Sequence, residues 1–222
     1  MKDKFLLLGS EGSMGKRYSA ILNFLNIKFT PYDIRTNPKV PSFKKFTHIM
    51  ICTPTDTHFS ILEKLIPLNK IILCEKPISK SITELLAIRD LLLKSESKLT
   101  MMMQYQKMIP LETRENYNIK SHSHYDYYKT GNDSLAWDCL QIIALARDGI
   151  HLGNTSPIWT CIINGKKLEL SDMDLAYVRF LESWIKGNEK QNISDIIEHH
   201  RKVKRLINDR NSKGPDCNTS KV

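Results

Sequence analysis

Gly9, Gly12 and Gly15 punctuate the stretch FLLLGSEGSMGKRY (residues 5–18), where an apolar run meets a turn that opens into helical spacing. Gly12 and Gly15 fill the second and third glycine positions of a G-x-G-x-x-G pattern. Ser10 fills the first and Gly9 lies one residue early, so the tight turn is either shifted or built with a serine. Small residues here let an anion reach backbone amides and the positive end of a helix, and with Ser13 and Met14 the turn reads as a cradle for a dinucleotide pyrophosphate. Asp33 ends the next apolar segment, about 20 residues past the glycines, where a carboxylate can accept from both hydroxyls of an adenosine ribose. The same charge repels a 2′-phosphate, while Arg35 two residues on would attract one, so NAD is favoured over NADP only slightly.

Two further blocks close apolar strands. Cys52-Thr53-Pro54, with His58, follows THIMIC, and Glu75-Lys76-Pro77 follows KIILC. An ammonium held at a strand end can donate to a hydroxyl or carbonyl oxygen, and Pro77 stiffens the turn that carries it. Lys76 is therefore the candidate catalytic residue, and Glu75 is its pairing partner or that of a neighbour.

The elements that must position these residues follow from periodicity. Strands are expected over residues 5–8, 27–34, 47–52, 70–74 and 99–103, with helices over 14–26, from Thr55 or Asp56, and from Ser79 or Ser81 to about Lys94. Residues 37–46 form a connection of low periodicity. Strands alternating with helices predict an α/β fold, a Rossmann-type doubly wound parallel sheet with ligands at the carboxyl ends of its strands, where Asp33, Thr53, Pro54, Lys76 and Gln104 all fall. A reduced α+β second domain follows. Residues 110–130 are polar and offer one short strand at 124–128; 134–147 form a buried helix; 159–170 form a hairpin around Asn164-Gly165. Helices come at 173–186 and 193–208. The expected boundaries are 1–108 for the dinucleotide-binding domain, 109–210 for a substrate or oligomerisation domain and 211–222 for a flexible tail.

Composition bounds the class. With 26% charged and 41% hydrophobic residues the chain is globular, and no apolar run is long enough to cross a bilayer. Five cysteines without a C-x-x-C pair read as reduced core residues of a cytoplasmic protein. The net charge of +9 concentrates near Lys16 and Arg17 and in residues 199–210. A nucleotide phosphate accounts for the first cluster. The second lacks interleaved aromatic residues, so no nucleic-acid partner is expected. His122 and His124 have no carboxylate or cysteine companions, and no metal site is expected.

In order and spacing, Gly12-Ser13-Met14-Gly15-Lys16-Arg17, Cys52-Thr53-Pro54 with His58, and Glu75-Lys76-Pro77 resemble the Gfo/Idh/MocA family of NAD(P)-dependent oxidoreductases, named for glucose-fructose oxidoreductase, inositol dehydrogenase and rhizopine catabolism. The resemblance covers roughly residues 4–110. It implies that the first block holds the pyrophosphate, that the threonine-proline turn lies along the nicotinamide half, and that Lys76 reaches the oxygen on the reacting carbon. The family also places a D-x-x-x-H pair on the first helix of its second domain. Here the helix offers Asp138 and Gln141, then Ile142 where the histidine would fall. Glutamine can hydrogen-bond a substrate hydroxyl but cannot titrate. His151, beyond the glycine stop, reads as a capping or surface residue, and Tyr125, Tyr127 and Tyr128 as a sugar-site wall or a small core.

The resemblance thus implies a dehydrogenase acting on a sugar, sugar derivative or cyclitol, with Lys76, Asp138 and Gln141 at the substrate. Gly9, Ser10, Gly12, Ser13, Met14, Gly15, Asp33, Arg35, Cys52, Thr53, Pro54, His58, Glu75 and Lys76 would lie along the cofactor. The family's second domain is normally a broad sheet forming an oligomer interface. This chain has room for a hairpin and one more strand, so either a smaller site remains or a partner chain, as in a homo-oligomer, completes it. The alternative is a dinucleotide-binding sensor or complex subunit that has lost its chemistry.

Overall fold

The structure, a computed structural model, describes residues 3–107, 119–122, 137, 140, 150–152, 160–163, 166–169 and 173–213. Four-residue strands β1 (Phe5–Leu8), β2 (Phe29–Tyr32), β3 (His48–Ile51), β4 (Ile71–Cys74) and β5 (Lys98–Met101) form one parallel sheet in the order β2-β1-β3-β4-β5. Helices α1 (Ser13–Phe24), α2 (Thr55–Leu65) and α3 (Ile82–Leu92) make three of the crossovers. The fold is a Rossmann-type doubly wound sheet. β1 and β3 are buried at every position, as strands covered on both faces must be, and this explains why they read as continuous apolar runs rather than alternating ones.

The two sheet edges are blunted differently. At β2 the Tyr32 carbonyl faces β1 and accepts from Gly9 and Ser10, so alternation turns Pro31, which has no N–H, outward. At β5 the side-chain amide of Gln191 substitutes for a neighbouring strand, accepting from the Met101 N–H and donating to its carbonyl, each at 2.8 Å. Residues 33–47 link β2 to β3 with a single 3-10 turn (Phe43–Lys45).

Helix starts depart from the expected caps in one case. Ser81 caps α3 and accepts from the Glu84 N–H. Thr55 and Asp56, by contrast, lie inside α2, because Pro54 takes the cap position and its carbonyl accepts from Thr57 N and Oγ1.

Two compact units emerge, one of residues 1–104 with 174–197 and one of 105–173 with 198–222. Helix α4 (Met173–Ile185) therefore sorts with the parallel sheet, although its place in the sequence puts it in the 109–210 segment. The reason is its apolar stripe: Phe180, Leu181 and Trp184 are buried, and the Trp184 ring meets Phe5 at 6.4 Å and His48 at 5.5 Å, both edge-on. Among the described residues the second unit holds four strands, not the hairpin and one strand expected: β6 (Ile119–His122), β7 (Ile150–Leu152), β8 (Thr160–Ile163) and β9 (Lys166–Glu169), in the order β7-β6-β8-β9. β8 and β9 pair antiparallel with Ile163 opposite Lys166, which is the expected hairpin register. The extra strand is β7, which carries His151 opposite Lys120 of β6; three residues between turn formers left too short a pattern to read. β6 stands at 119–122, ahead of the expected 124–128, which lies outside the described residues. Helix α5 (Ile193–Lys213) continues past residue 211, where the tail was expected to begin. Within this unit the Trp137 ring lies 5.6 Å from that of His200.

Candidate functional site

Register decides which residues share the carboxyl edge of the sheet. Leu8 pairs with Tyr32 on one side and Ile51 on the other, Ile51 with Cys74, and Cys74 with Met101. The next residue of each strand therefore falls on one row: Asp33, Gly9, Cys52, Glu75, Met102. Asp33 and Glu75 are three strand spacings apart on that row, roughly 14 Å. Asp33 and the Lys76 turn thus stand on opposite sides of the glycine turn.

The turn is built by Gly9, not by Ser10. Gly9 has φ +81°, its N–H donates to Tyr32 O at 2.8 Å, and its carbonyl accepts from Gly12 N–H at 3.1 Å. A Cβ at Gly9 would lie 2.7 Å from the Cys52 carbonyl oxygen, and one at Gly15 would lie 2.0 Å from the carbonyl oxygen of Gly9. The first lets β1 and β3 cross closely, and the second lets α1 sit directly on the turn. Gly12 is the cap residue of α1, which has no side-chain cap and no acidic residue in its first turn. The Ser13, Met14 and Gly15 N–H groups begin the helix without intrahelical acceptors, and an anion is their natural partner. A dinucleotide pyrophosphate fits this cradle, since no Cβ projects from Gly12 or Gly15.

Asp33 is 4% exposed and its carboxylate is fully engaged. Oδ1 accepts from Arg35 N at 3.0 Å and Nε at 2.8 Å; Oδ2 accepts from Glu11 N at 3.1 Å and Arg35 Nη2 at 2.8 Å. The Arg35 hydrogen bonds, more than burial opposes them, hold the Asp33 carboxyl well below the usual carboxylate range. Asp33 thereby braces the glycine turn through Glu11, and Arg35 covers it from solvent.

His58 is 1% exposed. Its Nδ1 faces Pro77 O at 3.0 Å and its Nε2 faces Thr53 O at 2.8 Å, so it bridges the Thr53-Pro54 turn and the Lys76-Pro77 turn from beneath. Thr57 Oγ1 donates across the Thr53 hydroxyl and Pro54 carbonyl at 2.7 Å each. Burial pushes the Cys52 thiol well up, with the Glu75 charge adding to it, which leaves a packing residue rather than a nucleophile.

Glu75 is buried. Its Oε1 accepts from the Tyr18 hydroxyl at 2.5 Å and its Oε2 from the Lys76 N–H at 3.1 Å. Burial raises its carboxyl above the ordinary value, while the Tyr18 hydrogen bond and then the Lys76 charge pull it back. Lys76 itself is half-buried, ahead of a cis bond to Pro77.

Tyr177 of α4 was not legible as a site residue. Its hydroxyl accepts from Gln104 Nε2 at 2.8 Å and its ring lies 6.2 Å from that of Tyr18. Arg17 sits 5.1 Å above the same ring and pairs with Asp174 at 3.1 Å. The only signal was that Tyr177 shares the helical stripe of Phe180, Leu181 and Trp184, and a stripe does not tell a packing tyrosine from one that closes a polar cluster.

Asp138 and Gln141 lie outside the described residues, as do His124, Tyr125, Tyr127 and Tyr128; their neighbours Trp137 and Leu140 are helical and buried. Among the described residues no cluster of three His, Cys, Asp or Glu could hold a metal, and no helix is long and apolar enough to cross a membrane. A groove of about 700 Å³ lies at the amino ends of the strands, between His48, Ile71, Lys98, Trp184 and Gln191, away from this row.

Residues 26–103 match the model of an oxidoreductase family with an NAD-binding Rossmann fold, Gfo/Idh/MocA. No curated protein matches the chain. Among solved structures, the WlbA (WbpB) dehydrogenase of Thermus thermophilus, in complex with NAD and UDP-GlcNAcA, is similar at 14% identity over 92% of this chain and 94% of that one, with a TM-score of 0.69. A Gfo/Idh/MocA family oxidoreductase of Vibrio cholerae is similar at 11% identity over 96% and 99%, TM-score 0.69. A myo-inositol dehydrogenase of Corynebacterium glutamicum is similar at 13% identity over 96% and 98%, TM-score 0.67. At such identities these likenesses speak for the fold, and the family match speaks for the residues. By that match, residues 26–103 are similar to the Gfo/Idh/MocA oxidoreductase family, whose NAD-binding Rossmann fold is the fold seen here.

Proposed function

We propose that the chain is an NAD(P)-dependent oxidoreductase that interconverts a hydroxyl and a carbonyl on a sugar, sugar derivative or cyclitol. The observation that carries the reading is the single row at the carboxyl edge, which sets Asp33, the glycine cradle and the Lys76 turn in the sequence that adenosine, pyrophosphate and nicotinamide require. The bound dinucleotide would supply the hydride acceptor or donor.

The chain's own residues do the rest. Amides of Ser13, Met14 and Gly15 receive the phosphates. Asp33 and Arg35 meet the adenosine end together: while Arg35 is clamped on Asp33, the carboxylate presents little bare charge against a 2′-phosphate, and the Arg35 side chain is 62% exposed. This supports use of both NAD and NADP rather than strict NAD preference. Lys76 donates to the substrate oxygen and takes or returns its proton through water. Asp138 and Gln141 would grip neighbouring hydroxyls.

Fluorescence titration with NADH and NADPH, followed by turnover on a panel of sugars, sugar nucleotides and cyclitols, tests the reading. Lys76→Met should retain dinucleotide binding and lose turnover; undiminished turnover removes the catalytic assignment. A second reading, a cofactor-binding sensor or subunit, is favoured by Ile142 standing where the family's histidine would fall. NADH binding with no turnover across the panel would select it.

A further inference from the structure

Helix α1 begins at the anion cradle and, one turn later, buries a hydroxyl. Tyr18 is 0% exposed, and its O–H donates to Glu75 Oε1 at 2.5 Å while Glu75 Oε2 accepts from the Lys76 N–H. One carboxylate therefore ties the helix that holds the phosphates to the turn that carries the lysine. We propose that Tyr18 is a positioning residue for Lys76, acting through Glu75; the inference rests on the reading of Lys76 as the group that meets the substrate oxygen.

The chemistry of the neighbours supports this over simple packing. A phenylalanine would fill the same space, so the phenolic oxygen is needed only for its partner. Burial, with the Glu75 charge adding to it, raises the Tyr18 hydroxyl well above its ordinary value, so it stays a donor across the working pH range. His58 also tethers the turn, with its two ring nitrogens facing the Pro77 and Thr53 carbonyl oxygens. In the Tyr18–Glu75–Lys76 chain each donor has a matched acceptor, the phenolic O–H on Oε1 and the Lys76 N–H on Oε2. Without the Tyr18 hydroxyl, Glu75 keeps a buried oxygen without its donor, and the carboxylate is free to turn away from the Lys76 N–H.

The test uses the full chain and needs no substrate. Wild type, Tyr18→Phe, Glu75→Gln and the double variant are compared with Ile21→Val, a buried control on the same helix. Thermal unfolding, NADH affinity by fluorescence and the rate of Lys76 modification by trinitrobenzenesulfonate at fixed pH, resolved by peptide mass mapping, are measured. Tyr18→Phe should fold and bind NADH within about threefold of wild type, yet change the Lys76 modification rate by about fivefold, with Glu75→Gln giving a similar change and the double variant no more, as coupled neighbours do. The control should lower thermal stability slightly, as a buried Ile→Val change does, and leave NADH affinity and the modification rate unchanged. A wild-type rate in folded Tyr18→Phe overturns the proposal; if that variant fails to fold, a wild-type rate in Glu75→Gln overturns it. Loss of NADH binding by the wild type would instead strike the functional reading, while the modification rates would still decide the link.

Discussion

At Gly15 the spacing between helix and turn leaves no room for a side chain, and at Gly9 both space and φ exclude one. Gly15→Ala should therefore abolish NADH binding and lower stability by about 1–3 kcal/mol, the usual cost of overpacking, as read by fluorescence titration and denaturant unfolding. Asp33 gives a pH prediction with a definite sign. Its folded carboxyl lies below the unfolded value of about 3.9, so the unfolded chain takes up a proton there first. The stability it contributes is complete above that value and is lost as pH falls through the folded one. Unfolding free energy should drop on acidification below about pH 4, and Asp33→Asn should make that acid limb shallower while lowering stability at neutral pH. These residues were named from the sequence because glycine and a strand-end acid carry their chemistry locally. Arg35 was named too, but not its bidentate hold on Asp33, since two side chains two apart can equally diverge.

Elements show where local pattern stops being enough. The five parallel strands and three crossover helices were legible within a few residues because buried runs and helical stripes are written in sequence. The caps were less so: Pro54 displaced Thr55 and Asp56 at α2 because a proline at that point fixes its own φ and offers a carbonyl. The docking of α4 onto the sheet was not legible, since its stripe could face any apolar surface. Trp184→Ala should cost about 3–5 kcal/mol in denaturant unfolding, as large-to-small core changes do. Gln191→Ala should cost about 1–3 kcal/mol and expose the β5 edge, which light scattering on warming would register as earlier aggregation.

At the scale of the molecule, the charge of +9 predicts a long-range pull on anionic dinucleotides. NADH association by stopped flow should slow by roughly two- to threefold between low and physiological salt, whereas the Arg17→Ala variant should show a weaker salt dependence. The four-stranded second unit was under-read because three- and four-residue strands flanked by polar segments carry little periodicity.

The sequence by itself determined the identities that matter: glycines where only glycine fits, an acid at one strand end, a lysine before proline at another, and the alternation that makes a parallel sheet. Tertiary structure alone decided that these ends form one row, that a tyrosine from α1 meets the glutamate beside the lysine, and that a helix from the far end of the chain closes the cluster. The physical reason is that residue type and periodicity act over a turn or a strand, while register and docking are set by burial of surfaces as far apart in sequence as Phe5 and Trp184.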